Sequence, residues 1–145
     1  MASHNTSNNH SWLLIFLCWL VATLATLGSL FFSEVMGLVP CELCWYQRIF
    51  LFPLVPLLLV GLFPLDLKVV RYALPLVIIG LLFTIYHGLL MLGIIPEAMQ
   101  PCSQGVSCSD KGMTLFGWLP IPLLSLIAFS TMLGLLFIAR KRITQ

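Results

Sequence analysis

The stretch CELCWYQRIFLFPLVPLLLVGLF, residues 41–63, opens on a Cys-x-x-Cys and then stays apolar for the length of a membrane crossing, interrupted by Arg48, Pro53 and Pro56. A helix needs about 20 predominantly apolar residues to traverse the hydrocarbon of a bilayer. Reading outward, three more runs meet that length, at about 12–32, 72–95 and 118–139. They are joined by segments 33–40 and 96–117 and by a short polar turn carrying Asp66, Lys68 and Arg71. Of the 145 residues, 60% are hydrophobic and 8% charged, with a mean hydropathy of +1.06, whereas a soluble domain carries about 25% charged residues. The expected fold is an all-α membrane protein, a four-transmembrane-helix bundle filling 1–145 as a single membrane domain. No separate soluble domain fits in what is left.

The first run is expected to be retained as a span rather than cleaved. The eleven residues before Trp12 hold no Lys or Arg, so the basic n-region of a signal peptide is missing. Pro53 and Pro56 remove backbone donors from the second run and predict a kink, with the freed carbonyls satisfied by neighbouring groups. Lys68, Arg71, Arg140, Lys141 and Arg142 flank one side of the spans, and outside the spans the opposite side has only Lys111. The positive-inside rule then places both termini in the cytoplasm. The outer loops are 33–40 and 96–117, facing the compartment where disulfides persist. The net charge of +2 comes from the basic C-terminal end, which reads as topology. Lipid is the implied partner and nucleic acid is not.

Four of the five cysteines fall in two close pairs beside those loops. Cys41 and Cys44 sit where a spanning helix begins, and the unpaired N–H groups and dipole of a helix N-terminus stabilise a thiolate. Residues 41, 44 and 48 are three and four positions apart and share one helical stripe. Arg48 falls about 10 Å along the axis from Cys41, at roughly 1.5 Å per residue. A charge at the centre of a spanning helix costs about 2.5 to 3.5 kcal/mol, so Arg48 requires a partner. A Cys44 thiolate or the carbonyl oxygen of a bound acceptor would serve. The plainer alternative is an arginine that reaches headgroups or bonds backbone carbonyls.

Cys102 and Cys108 enclose Ser-Gln-Gly-Val-Ser, and Gly105 allows the chain to turn back. A small, exposed ring of this kind suits exchange, although a structural disulfide would use the same spacing. Four cysteines also suffice for tetrahedral zinc. Structural zinc normally nucleates small soluble folds that need it, and a bilayer removes that need, so no metal is expected. Cys18, deep in the first run, reads as a buried small hydrophobe. His87, in the later half of the third run, falls at about the depth of Arg48 and is either a satisfied core histidine or a ligand group. Trp45 and Tyr46 could pack a planar ring or belong to an interfacial belt.

These residues together resemble the DsbB/BdbC family of membrane disulfide-bond formation proteins, its shorter BdbC-like branch in particular. The resemblance rests on Gly-Ser-Leu-Phe-Phe-Ser-Glu at 28–34, on Pro-Cys-Glu-Leu-Cys-Trp-Tyr-Gln-Arg-Ile at 40–49, on His87, and on Pro101-Cys102. The motif at 40–49 is the specific one. It implies a quinone-dependent thiol-disulfide oxidoreductase in a bacterial cell membrane, with its redox centres on the extracytoplasmic side. The loop pair Cys102 and Cys108 would oxidise a DsbA/BdbD-like thioredoxin-fold partner. Electrons would then pass to Cys41 and Cys44, with Cys44 nearest the quinone and Arg48 and His87 at its ring. The branch points to menaquinone, with ubiquinone as the alternative. Two features depart from the longer members: the loop cysteines are close together, and Gln47 stands where those members have an acid. The rival readings are a reductase of the vitamin K epoxide reductase architecture, against which the position of Cys-x-x-Cys at the second helix argues, and a scaffold with structural disulfides.

Overall fold

The computed structural model describes residues 2–63, 66–96, 114–115 and 119–143. Helix α1, Ala2–Leu30, passes into a π-helical turn, Phe31–Val35. Then come α2, Glu42–Leu51; α3, Leu54–Leu62; α4, Val69–Met91; and α5, Ile121–Ile143. A short antiparallel pairing of β1, Thr114–Leu115, with β2, Leu119–Pro120, leads into α5. Four segments are long and apolar enough to cross a membrane: Asn9–Val35, Glu42–Leu62, Val69–Met91 and Ile121–Arg142. The four-helix membrane fold expected from the apolar runs is therefore the one observed.

The second crossing is broken, as its prolines require. Phe52 closes α2 by donating to the Arg48 carbonyl at 2.9 Å, and Pro53 caps α3 without an N–H to give. Pro56 lies in the first turn of α3, where a missing donor costs nothing. The Phe52 carbonyl is met instead by the Val55 N–H at 3.3 Å. The break redirects the chain, so that α2 packs mainly on α4 while α3 packs mainly on α1. Where α2 leans away from α1, space opens between them.

The main core fills the rest of the bundle, with Ile15, Cys18 and Ala22 of α1 meeting Leu54 and Leu58 of α3, Val77 of α4, and Phe129 and Met132 of α5. Cys18 is wholly buried there, in keeping with its reading as a small hydrophobe. Gly80 of α4 lies against the Phe129 ring, and a β-carbon at that position would collide with it. A smaller cluster joins Cys41 and Leu43 at the start of α2, Leu90 at the end of α4 and Ile121 at the start of α5. It fixes α2, α4 and α5 as alternating in direction, with the basic residues Lys68, Arg71, Arg140, Lys141 and Arg142 at the opposite end of the bundle.

Candidate functional site

Cys41 is the N-cap residue of α2, extended at φ −70° and ψ 166°. Its carbonyl accepts the Trp45 N–H at 3.2 Å, which starts the helix. Cys44 follows in the first turn, and one turn of helix brings the two Sγ atoms to 3.0 Å. That is about 1 Å beyond the length of a disulfide. Cys41 is buried, 2% exposed, whereas Cys44 is half-buried.

His87 reaches this pair from α4. Its Nε2 stands 3.8 Å from Cys41 Sγ, and its Nδ1 lies 3.2 Å from the side-chain nitrogen of Gln47. The histidine is completely buried and Gln47 nearly so. With the Gln47 amide donating to Nδ1, the ring carries its proton on Nε2 and directs it at the Cys41 sulfur. The histidine is thus neither isolated in the core nor spaced away from the thiols.

Arg48 is 8% exposed. Its Nε donates to the Ser29 hydroxyl at 2.6 Å and its Nη2 to the Ser29 carbonyl at 2.7 Å, both short, charge-assisted bonds. The guanidinium also lies 5.3 Å from the centre of the Trp45 ring. Among the described residues these partners are all neutral. The plainer alternative, a carbonyl-bonded arginine, is therefore half of the answer, and the positive charge itself is left without a counter-charge there. Tyr46 takes no part: it stacks on Phe83 of α4 at 5.3 Å.

The space between α1, α2 and α5 is a cavity of about 700 Å³, within the usual range for a small-molecule or cofactor site. Cys44, Gln47, Arg48 and His87 form its polar wall with Ser29, while Cys41 does not line it. Most of the remaining lining is apolar. It includes Leu24 and Ile127, which are exposed on the outer surface of the bundle, so the cavity meets the lipid-facing side. An acceptor dissolved in the bilayer has a way in. A planar ring with a carbonyl oxygen and an apolar tail fits such a site, with a nearly buried cation in a polar inner wall and mostly apolar lining elsewhere.

Cys41, Cys44 and His87 are also three soft donors within 4.8 Å of one another. Two thiolates sharing a tetrahedral zinc with bonds of about 2.3 Å stand about 3.8 Å apart. The observed Sγ–Sγ distance, 3.0 Å, is shorter than that spacing. The second cysteine pair, Cys102 and Cys108, lies outside the described residues. Ser29 and Gln47 are the site residues that sequence reading did not single out as such. Gln47 was visible only as a departure beside the arginine, and Ser29 only as a member of the stretch at 28–34.

A four-helix membrane bundle with a dithiol at the head of its second crossing, opening on a lipid-facing cavity, defines a membrane thiol-disulfide protein. The comparisons with known proteins narrow this. The family model for the disulfide bond formation protein DsbB matches residues 9–139, and the chain belongs to that family. It is 50% identical over 135 residues to a probable disulfide formation protein of Metapseudomonas resinovorans, covering 92% of this chain and 94% of that one. It is 45% identical over 115 residues to disulfide bond formation protein C of Bacillus subtilis (strain 168), covering 79% and 83% respectively. A probable disulfide formation protein of Deinococcus radiodurans is 41% identical over 139 residues, covering 90% of each chain. No solved structure matches the chain.

Proposed function

We propose that this protein is a quinone-dependent thiol-disulfide oxidoreductase that reoxidises an extracytoplasmic thioredoxin-fold disulfide donor of the DsbA/BdbD kind. The observation that carries the reading is that Cys44, but not its partner Cys41, lines the lipid-facing cavity beside the buried charge of Arg48. The redox centres face outward and both termini inward, with the basic residues at the cytoplasmic end.

The donor's thiolate attacks the Cys102–Cys108 disulfide, and its second thiol resolves the mixed disulfide, leaving the donor oxidised and the loop pair reduced. A loop thiolate then attacks Cys41 of the Cys41–Cys44 disulfide, and Cys44 leaves as a thiolate on the arginine side. The other loop cysteine attacks the Cys41 mixed disulfide, which closes Cys102–Cys108 again. Cys41 and Cys44 now hold two electrons. The quinone, menaquinone by the branch resembled or else ubiquinone, supplies the acceptor for those two electrons and two protons as Cys41–Cys44 re-forms. Arg48 would hold it at its carbonyl end, and the His87 Nε2–H, aimed at Cys41 Sγ, can stabilise that sulfur as it becomes the attacking thiolate.

The test uses the purified protein with a reduced thioredoxin-fold donor and added quinone, following quinone consumption and donor thiols together. Consumption in step with donor oxidation, abolished by Cys44→Ser, is the expected result. Donor oxidation with no quinone consumed would overturn the cofactor assignment.

A further inference from the structure

Arg48 has three nitrogens with which to donate, and two of them are engaged by one residue. We infer that Ser29 is the positioning residue of the acceptor site: by holding Nε through its hydroxyl and Nη2 through its carbonyl, it fixes the guanidinium so that Nη1 is the edge offered to the acceptor's carbonyl oxygen. The inference rests on the reading of Arg48 as an acceptor-binding group.

Four observations carry it. First, the two bonds, at 2.6 and 2.7 Å, come from two adjacent nitrogens of the planar fork to two oxygens of the same residue, which locks the plane as a single bond would not. Second, Nη1 has no protein partner among the described residues, although Arg48 is more than nine-tenths buried and lines the cavity with Cys44. Third, Ala25 and Gly28 line the cavity beside Ser29, and a β-carbon on Gly28 would meet nothing within 4 Å. Small residues on this part of α1 leave room for the guanidinium to come against the backbone and for a ligand to come against the guanidinium. Fourth, the Ser29 carbonyl, which also accepts from the Ser33 hydroxyl at 3.3 Å, receives Arg48 at the shorter 2.7 Å, as a carbonyl oxygen with two lone pairs can.

Residue 29 therefore selects how the acceptor is held. With the Nε–Nη2 edge occupied, the side-on fork of Arg48 is closed, and what it offers a ligand is Nη1 with the outer N–H of Nη2. That end-on edge, held in one plane by Ser29, can donate to a quinone carbonyl oxygen from a fixed direction. Trp45 on the guanidinium face adds to the fixation without supplying an opposing charge.

Ser29→Ala, Ser29→Thr and Arg48→Lys, each as the full chain in detergent or lipid, separate the possibilities. Alanine is the best helix former, so the first variant keeps α1. The expected result for Ser29→Ala is a rise of about tenfold in the KM for quinone, about 1.4 kcal/mol and near the lower bound for a hydrogen bond to a charged group. The rate of thiol exchange between the donor and the protein should stay within twofold, and Ser29→Thr, which keeps the hydroxyl, should recover most of the loss. If Arg48→Lys raises the quinone KM and Ser29→Ala does not, Ser29 has no positioning role and the reading of Arg48 stands. If neither moves it, the reading of Arg48 fails and the inference with it. Equal losses in quinone use and thiol exchange for Ser29→Ala would make its role purely structural and overturn the inference.

Discussion

At the scale of single residues, the site is a set of polar groups that each solve a burial problem for another. His87 is fully buried and its Nδ1 is met by Gln47; Arg48 is nearly buried and is met by Ser29. Replacing Gln47 by Leu would remove the hydrogen bond that Nδ1 accepts, at a cost of about 1 kcal/mol for a buried hydrogen bond. A lower unfolding midpoint is expected in a thermal scan of the purified protein, together with slower alkylation of Cys41, since the ring would no longer be held with Nε2–H towards that sulfur. Gln47→Glu keeps a polar partner only if Nδ1 carries the proton, so it should retain more of the stability but not the Nε2–H orientation. An unchanged alkylation rate in Gln47→Leu would show that the glutamine does not orient the ring. What sequence could supply here followed the helix period: Cys41, Cys44 and Arg48 share a stripe because positions three and four apart must. The partners of Arg48 and His87 come from other helices, at separations of 19 and 40 residues. No period encodes those contacts, so Ser29 and Gln47 stayed hidden among ordinary polar residues.

At the scale of elements, hydropathy marked the crossings and proline marked the break, but neither told which neighbours the two halves would choose. The helix before the first crossing begins at Ala2, well ahead of the apolar run, because hydropathy records what lipid covers and not where the hydrogen-bond ladder starts. The lean of α2 towards α4 and of α3 towards α1 decides where the cavity opens, while α4 and α5 close on each other at Gly80. The Phe129 ring of α5 occupies the place a side chain would need at that glycine. Gly80→Ala is expected to push α5 off α4 and to destabilise the bundle by about 1 to 3 kcal/mol, the usual cost of overpacking. The gain in helix propensity, about 1 kcal/mol, offsets part of it. Denaturation of the purified variant checks the balance. A variant as stable as the parent would mean that the ring moves aside at little cost, and that this contact does not set the α4–α5 distance.

At the scale of the whole molecule, the bundle separates two chemistries along its axis. Cys41, Leu90 and Ile121 meet at one end, while the chain turns at Lys68 and finishes on Arg140, Lys141 and Arg142 at the other. The proposed direction follows the positive-inside rule, with the basic end on the cytoplasmic side. A dithiol held outside is in a compartment where oxidation persists, and one held inside would face a reducing pool. Topology is therefore a condition of the proposed reaction. It can be checked with a membrane-impermeant maleimide applied to intact cells carrying a variant with all five native cysteines replaced and one cysteine returned at a chosen position. A cysteine at the loop position of Ser103 should be labelled from outside, and Lys141→Cys only after the cells are broken. Labelling of Lys141→Cys in intact cells would invert the molecule and place both thiol pairs in the reducing compartment. The thiol current would then have to run towards disulfide reduction, because in a two-electron couple each shift of about 30 mV already changes the balance tenfold.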